Sequence, residues 1–63
     1  MNEKKYALVT GATGGLGKAL AKALCDEGYD LLLSGRSEEK LNNFKEELQE
    51  IYPARELRIY PAN

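Results

Sequence analysis

The 63-residue sequence contains no histidine and no tryptophan, and it has a single cysteine, Cys25. Histidine is the commonest metal ligand and general base, so its absence argues against a metal site. A single cysteine allows no disulfide within the chain. Because Cys25 lies in an apolar helical pattern, we interpret it as a small buried side chain and not as a reactive thiol. A lone cysteine is typical of a reducing compartment, and we predict a cytoplasmic location.

The sequence also lacks an excess of charge of either sign. Nine basic and ten acidic residues give a net charge of −1, and the basic residues are scattered along the chain. We therefore expect neither a nucleic-acid nor a membrane-surface partner. No apolar run approaches the roughly 20 residues that a membrane span needs, and the first residues lack the apolar run and cleavage site of a signal peptide.

The apolar pattern instead alternates between strands and helices. Residues 6–10 predict a short buried strand, residues 31–33 a second one between Gly28 and Gly35, and the alternation of Leu57 and Ile59 a third. A first helix is indicated by an apolar stripe at helical spacing, with Gly28 at its end: Leu16, Ala19, Leu20, Ala23 and Leu24.

A second helix is indicated by a second stripe that stops before Pro53: Leu41, Phe44, Leu48 and Ile51. Ser37 is a suitable N-cap, and Glu38 and Glu39 suit the positive end of the helix dipole.

The predicted order is β-α-β-α-β, which requires parallel strands joined by right-handed crossovers. This is one half of a doubly wound α/β sheet with strand order 3-2-1. Both helices would cover the same face, so the other face of residues 31–33 would be bare. We therefore interpret residues 1–63 as part of one larger domain, and we expect the isolated chain not to fold stably.

Four glycines lie between the first strand and the first helix, in the segment LVTGATGGLGKAL. Such a turn presents unpaired N–H groups at a helix N-terminus, which suits a phosphate. A P-loop would need a glycine at Ala12 and a magnesium-binding hydroxyl at Ala19, so an NTPase is the least favoured alternative. A purely structural strand–helix junction is the other alternative.

The segment TGATGGLG, Thr10 to Gly17, resembles the Thr-Gly-x-x-x-Gly-x-Gly signature of the short-chain dehydrogenase/reductase family. The resemblance extends over essentially the whole chain and covers only the first part of a family member. It implies the first half of a Rossmann fold, an NADP(H)- or NAD(H)-binding site, and an oxidoreductase that transfers hydride between the cofactor and a carbonyl or alcohol.

The resemblance also implies a role for each residue of the turn. Gly11 would allow the tight turn, Gly15 the approach of the pyrophosphate, and Gly17 the close packing of helix on strand. Gly14 belongs to the same cofactor-binding turn, the Leu16 N–H would point at the pyrophosphate, and the Thr13 hydroxyl would lie near the adenosine ribose. Thr10 would brace the turn.

The end of the second strand predicts which cofactor is bound. Gly35 stands where NAD-selective family members carry an acid, and Arg36 and Ser37 follow it with donors suited to a 2′-phosphate. This favours NADP(H), although a solvated arginine is the alternative. Some NADP-type members carry a second basic residue just before the central glycine, where this chain has Gly14. Asn63 matches a family position near the adenine, or is simply a frayed end.

The catalytic residues of the family, a serine, a Tyr-x-x-x-Lys pair and an asparagine, cannot be placed in this sequence. Tyr6, Tyr29, Tyr52 and Tyr60 are interpreted as packing residues with polar tips. The chain alone is therefore predicted to be inactive, and its parent to be an oxidoreductase that acts as a homo-oligomer. A non-catalytic NADP sensor or scaffold of the same fold is the main alternative.

Overall fold

A computed structural model of the protein describes residues 5–62. Its elements in chain order are β1 (Tyr6–Val9), α1 (Gly15–Asp26), β2 (Asp30–Gly35), α2 (Glu38–Ile51) and β3 (Leu57–Pro61). The three strands form one parallel sheet with β2 in the centre. The predicted β-α-β-α-β order and the 3-2-1 arrangement of the strands are therefore confirmed.

One face of the sheet carries the hydrophobic core. The side chains of Val9, Leu31, Leu33 and Leu57 are buried there, in one cluster with residues of both helices: Ala21, Cys25, Leu41, Phe44 and Leu48. Because both helices contribute to this single cluster, they cover the same face of the sheet. Leu8 and Tyr60, which alternate with this set on the outer strands, are exposed, and Leu32 on the central strand is half-buried.

Most of the apolar stripe predicted for α1 does not pack on the sheet. Leu16 is 87% exposed and Leu20 49% exposed, whereas Ala21 and Cys25 are buried. The reason is that Gly17 contacts the backbone of the preceding turn, which orients the helix so that its smallest side chains face the sheet. Leu16 and Leu20 therefore lie on the outer side of the helix, whereas Leu24, at the other end of the stripe, is half-buried against the core.

The C-terminus of α1 is closed by hydrogen bonds around Gly28, which has a φ of +95°. The Gly28 N–H donates to the Cys25 carbonyl, and the Tyr29 N–H donates to the Leu24 carbonyl, both at 3.0 Å. This pair of bonds is a Schellman motif, and a positive φ at its centre favours glycine. The role predicted for Gly28 is confirmed.

Helix α2 follows its predicted pattern with one exception. Leu41, Phe44 and Leu48 are buried, but Ile51 is 57% exposed at the last turn. The helix ends at Ile51, two residues before Pro53. Within residues 5–62, neither helix is long and apolar enough to cross a membrane.

Polar contacts join the C-terminal end of α1 to the segment between α2 and β3. The Arg55 guanidinium donates to the Gly28 carbonyl at 2.6 Å, and the Tyr52 hydroxyl donates to the Asp26 carboxylate at 2.8 Å. The Gln49 amide donates to the Arg55 carbonyl at 2.8 Å. These bonds hold the end of α1 against the α2–β3 connection, far from the glycine turn.

Candidate functional site

The glycine turn lies where the carboxyl ends of β1 and β2 meet. Gly11 has a φ of +60°, a conformation that favours glycine, and the Gly14 N–H donates to the Gly11 carbonyl at 3.1 Å. Ala12 is buried, and its N–H donates to the Ser34 carbonyl at 3.0 Å. The turn is therefore anchored to the end of β2 before the chain enters α1.

Gly17 lies directly on this turn. A Cβ atom at this position would lie 2.9 Å from the Gly11 carbonyl carbon and 3.0 Å from the Ala12 Cα, and closer still to the Gly11 oxygen. Backbone atoms at these distances cannot give way as a flexible side chain could. The first turn of α1 can approach the strand end this closely only because residue 17 has no side chain.

Gly14 and Gly15 face more open space. A Cβ at Gly15 would meet no atom within 4 Å, and one at Gly14 would make only an ordinary contact with the Gly11 oxygen at 3.5 Å. The protein therefore leaves room beside the first residue of α1, on the side away from the contact that Gly17 makes.

The N-terminus of α1 has no side-chain cap and no acidic residue in its first turn. The N–H groups of Gly15, Leu16 and Gly17 have no acceptor within the helix, because the first amides of an α-helix precede its i−4 carbonyls. Free donors and the positive end of the helix dipole thus coincide with the open space at Gly15. This arrangement suits an anion that approaches along the helix axis.

Helix α2 begins in the opposite way. The Ser37 hydroxyl accepts a hydrogen bond from the Lys40 N–H at 3.2 Å, which confirms Ser37 as the N-cap. Glu38 and Glu39 occupy the first turn. The amino end of α2 is therefore satisfied by the chain itself, and that of α1 is not.

Gly35 and Arg36 lie at the carboxyl end of β2, beside the turn. The Gly35 carbonyl accepts from the Ala62 N–H at 2.8 Å, and a Cβ at Gly35 would contact only the Leu41 side chain, at 3.4–3.9 Å. The Arg36 side chain is exposed and makes no hydrogen bond or ion pair with any residue in the described range 5–62. Asn63 lies outside the described residues.

A cavity of about 340 Å³ lies between α1 and α2 and was not predicted from the sequence. It has a mixed polar and apolar lining, made of residues from the glycine turn and both helices: Thr13, Lys18, Lys40, Asn43, Phe44 and Glu47. The Lys18 ammonium lies 5.5 Å from the centre of the Phe44 ring. Lys18 and Lys40 are 22 positions apart in sequence, so no local motif identifies them as neighbours of one cavity.

The titratable groups with shifted pKa values lie at the other end of the sheet. Burial raises the pKa of the Cys25 thiol, and the hydrogen bond to Asp26 raises the pKa of Tyr52. Neither group faces the glycine turn. Among the described residues, no cluster of cysteine and carboxylate side chains could hold a metal ion.

The geometry fits the pyrophosphate of a dinucleotide. A phosphate needs close backbone approach and several N–H donors, which the open side of Gly15 and the uncapped amides of α1 supply. The adjacent strand end carries Arg36 and no carboxylate at Gly35, so a further phosphate would meet positive charge there.

Comparisons with known proteins agree with this description. Residues 5–63 match the family model described as short chain dehydrogenase. An uncharacterized oxidoreductase of Bacillus subtilis (strain 168), YvaG, is 47% identical over 58 residues, which cover 92% of this chain and 21% of the relative. The very-long-chain 3-oxooacyl-coA reductase let-767 of Caenorhabditis elegans is 45% identical over 53 residues, which cover 84% of this chain and 17% of the relative.

Among solved structures, YwfH, an NADPH dependent reductase involved in bacilysin biosynthesis, superposes with a TM-score of 0.88 and 28% identity. The match covers 95% of this chain and 25% of that one. The fold is shared with a bulky-bulky ketone specific alcohol dehydrogenase from Comamonas testosteroni, which superposes with a TM-score of 0.86 at 22% identity. That match covers 98% of this chain and 25% of the dehydrogenase chain. The chain spans about a fifth of the length of the curated relatives described above.

Proposed function

This chain belongs to the short-chain dehydrogenase family, and we propose on that premise that its residues form the NADP(H)-binding portion of an oxidoreductase. The observation that carries the proposal is the uncapped N-terminus of α1, which faces the open side of the glycine turn. Residues 1–63 would then be part of one cofactor-binding domain in a longer protein.

The pyrophosphate would lie against the first turn of α1. The N–H groups of Gly15, Leu16 and Gly17 would donate to its oxygens, and Gly14 and Gly15 would let it approach the backbone. Thr13, at the rim of the cavity between the helices, would place its hydroxyl near the adenosine ribose.

Three adjacent residues support NADP(H) over NAD(H). Gly35 carries no carboxylate to repel a 2′-phosphate, and the Arg36 guanidinium has no competing partner within residues 5–62. The Ser37 hydroxyl accepts from the Lys40 N–H, so its own proton remains available for donation to a phosphate oxygen. The YwfH structure, whose description names NADPH, supports the same choice.

When bound, NADPH supplies the hydride that reduces a carbonyl, and the reverse reaction oxidises an alcohol. The residues of this chain would bind and orient the cofactor, and none of them is proposed to act on the substrate. The relatives described as reductases support this reaction class for the full-length protein.

We also propose that the exposed face of the sheet is covered in the longer protein. A shallow cavity of about 480 Å³ on this face is lined mainly by apolar side chains, with Leu8 59% exposed. An uncovered apolar face of this kind is a liability in a monomer. A cytoplasmic location, a small carbonyl or alcohol as substrate, and a homo-oligomeric parent without nucleic-acid or membrane partners complete the proposal.

The test is a cofactor titration of the full-length protein that contains this chain. Binding of NADP⁺ and NAD⁺ is measured by fluorescence or calorimetry in the wild type, in Arg36→Ala and in Gly35→Asp. Because a hydrogen bond to a charged group contributes about 1.5–3 kcal/mol, we expect Arg36→Ala to lower the NADP⁺ preference by about 10–100-fold. Gly35→Asp should shift it in the same direction.

Gly35→Ala is the control for Gly35→Asp. It adds the same contact with the Leu41 side chain without the negative charge, and should leave the preference unchanged. If neither Arg36→Ala nor Gly35→Asp lowers the ratio of NADP⁺ to NAD⁺ affinity, the choice of NADP(H) is wrong.

A further inference from the structure

One side of α1 carries a row of leucines that the described residues leave largely uncovered. Leu16, Leu20 and Leu24 are spaced four residues apart, so they lie along one side of the helix. Leu16 and Leu20 are exposed, and only Leu24 is half-buried against the core. A contiguous exposed row of large apolar side chains is typical of a surface that packs against another element.

The leucine row faces away from α2. On the other side of α1, the Lys18 ammonium lies 5.5 Å from the centre of the Phe44 ring of α2, and Lys22 follows about one turn later. Leu20 is two positions from each of these lysines, which is about 200° around the helix. Because α1 packs on β1 and β2 and α2 packs on β2 and β3, the leucine row lies on the side of the edge strand β1.

The corresponding side of α2 is polar. Lys40 lines the cavity between the helices, and Asn42, two positions later, therefore faces away from α1. The residues on that side of α2 are all hydrophilic: Glu38, Asn42, Lys45 and Gln49. A layer of helices that ended at both α1 and α2 would be polar on both of its outer sides. The layer therefore ends at α2 and continues beyond α1.

The two outer strands differ in the same direction. β3 ends in Pro61, and proline in a sheet is confined to edge strands, strand ends and bulges. β1 contains neither proline nor a charged residue, which are the usual protections of an exposed edge. The segment that matches YvaG is only 21% of that relative, so a longer protein of this family has ample chain to lie beside β1 and α1.

We infer that a further helix of the longer protein packs beside α1, on the same face of the sheet, and covers Leu16, Leu20 and Leu24. A ridge of side chains four residues apart fits the groove of a second helix at an interaxial distance of about 8–10 Å. Ala19 and Ala23 border the row and are small enough to let that helix approach closely. The contact involves no cofactor, so the inference goes beyond the proposed function.

The experiment compares the accessibility of one cysteine on the outer side of each helix, in the full-length protein without cofactor. The variants are Leu20→Cys on α1 and the control Asn42→Cys on α2, two positions that are both exposed in this structure. Labelling by a maleimide is followed by peptide mass spectrometry, in native buffer and in urea. Cleavage by trypsin after Lys22 separates residue 20 from the native Cys25.

In the native protein, Leu20→Cys is expected to react at least about tenfold more slowly than Asn42→Cys, because labelling then requires the packed helices to open. The two rates should be equal in urea. In thermal melts, Leu20→Ala should lower Tm by about 4 °C or more, as for a buried leucine, and Asn42→Ala by about 2 °C at most. If Leu20→Cys does not fold, Ala23→Cys repeats the labelling, since it removes no large side chain.

Equal native labelling rates for the two cysteines would overturn the inference, because the leucine row would then be open to solvent. Protection that is lost on dilution by about 100-fold would also overturn it, since a second copy of the protein would then cover the row. Protection of both cysteines would contradict the assignment of α2 to the border of the domain.

A photocrosslinker attached to the Ala23→Cys thiol identifies the covering segment. It should reach residues three or four positions apart in one later segment, as the face of a helix does. Crosslinks to every second residue would indicate a strand and would overturn the assignment of a helix. The choice between NADP(H) and NAD(H) is unaffected by any of these results, because the cofactor titration tests it separately.

Discussion

The contact between Gly17 and the glycine turn makes the substitution Gly17→Ala the sharpest test of the site's architecture. The added methyl group would lie 2.9 Å from the Gly11 carbonyl carbon and 3.0 Å from the Ala12 Cα. Non-bonded carbon atoms prefer about 3.5–4.0 Å, so the helix and the turn must move apart by roughly half an ångström or more.

The magnitude of the effect follows from what opposes that movement. Ala12 is buried and its N–H is bonded to the Ser34 carbonyl, so the turn is not free to shift. Overpacking of this kind costs about 1–3 kcal/mol, and occasionally more. Alanine regains at most about 1 kcal/mol through its higher helix propensity, and less at a helix end. We expect a net loss of about 2 kcal/mol in the free energy of unfolding.

The assay is thermal and urea unfolding of the full-length protein, with Gly15→Ala as the matched control. A Cβ at Gly15 meets nothing within 4 Å, so Gly15→Ala should leave the fold as stable as the wild type. For a protein of about 150–250 residues, a loss of about 2 kcal/mol lowers Tm by about 4–8 °C. Gly17→Ala should show this shift, and Gly15→Ala should weaken NADP⁺ binding with no change in Tm.

Equal melting temperatures for Gly17→Ala and Gly15→Ala would refute the reasoning, because only one of the two methyl groups meets the backbone. A large loss of stability in Gly15→Ala would be equally damaging. It would mean that the space beside the first turn of α1 is occupied by the protein itself and is not available to a phosphate.

Two further predictions concern the packing of α2 and its contact with α1. Leu48→Ala should cost about 2–5 kcal/mol of unfolding free energy, because Leu48 is fully buried, whereas Ile51→Ala should cost about 1 kcal/mol or less; similar urea midpoints for both would contradict this. The Tyr52 hydroxyl donates to the Asp26 carboxylate, which raises the pKa of Tyr52 above its ordinary value of 10.0. The contribution of this hydrogen bond to the free energy of unfolding is therefore complete below pH 10.0, and it is lost as the pH rises through the raised pKa. Tyr52→Phe should therefore lose less stability than the wild type between neutral and strongly alkaline pH, and parallel urea-unfolding profiles would show that the bond contributes nothing.

The order and direction of the elements could be predicted from the sequence because local signals agreed with one another. Gly28 and Pro53 mark helix ends, and Ser37 marks a helix start. The apolar segments outside the two helical patterns, residues 6–10, 31–33 and 57–59, are too short to form helices and are therefore predicted as strands. When each strand also pairs with the next one along the chain, parallel crossovers give the sheet order that the structure has.

The packing side of α1 could not be predicted in the same way. The most apolar stripe of the helix contains Leu16 and Leu20, and hydrophobicity alone assigns it to the core. The structure instead buries Ala21 and Cys25, because a backbone contact made by Gly17 sets the rotation of the helix. A pattern of side-chain hydrophobicity contains no information about such a contact.

The candidate site also contains parts that a local sequence pattern identifies and parts that only the packing of the helices brings together. The glycine turn and the Gly35-Arg36 pair are each local in sequence, so a short motif is enough to identify them. Lys18 and Lys40 come from different helices and become neighbours only when both helices pack on one face of the sheet. Lys40 follows two glutamates and Lys18 stands in a segment of glycine and apolar residues, so no spacing rule pairs them.

The positive amino ends of the two helices are treated differently in this protein. Ser37 and two glutamates satisfy the amino end of α2, and that end contributes to stability without a ligand. The amino end of α1 has no cap and no acid, so it forgoes about 1 kcal/mol that a capping residue would add. A strand–helix junction that existed only for stability would have no reason to leave this end open. The open end is therefore the best physical argument that the turn is built to receive an anion.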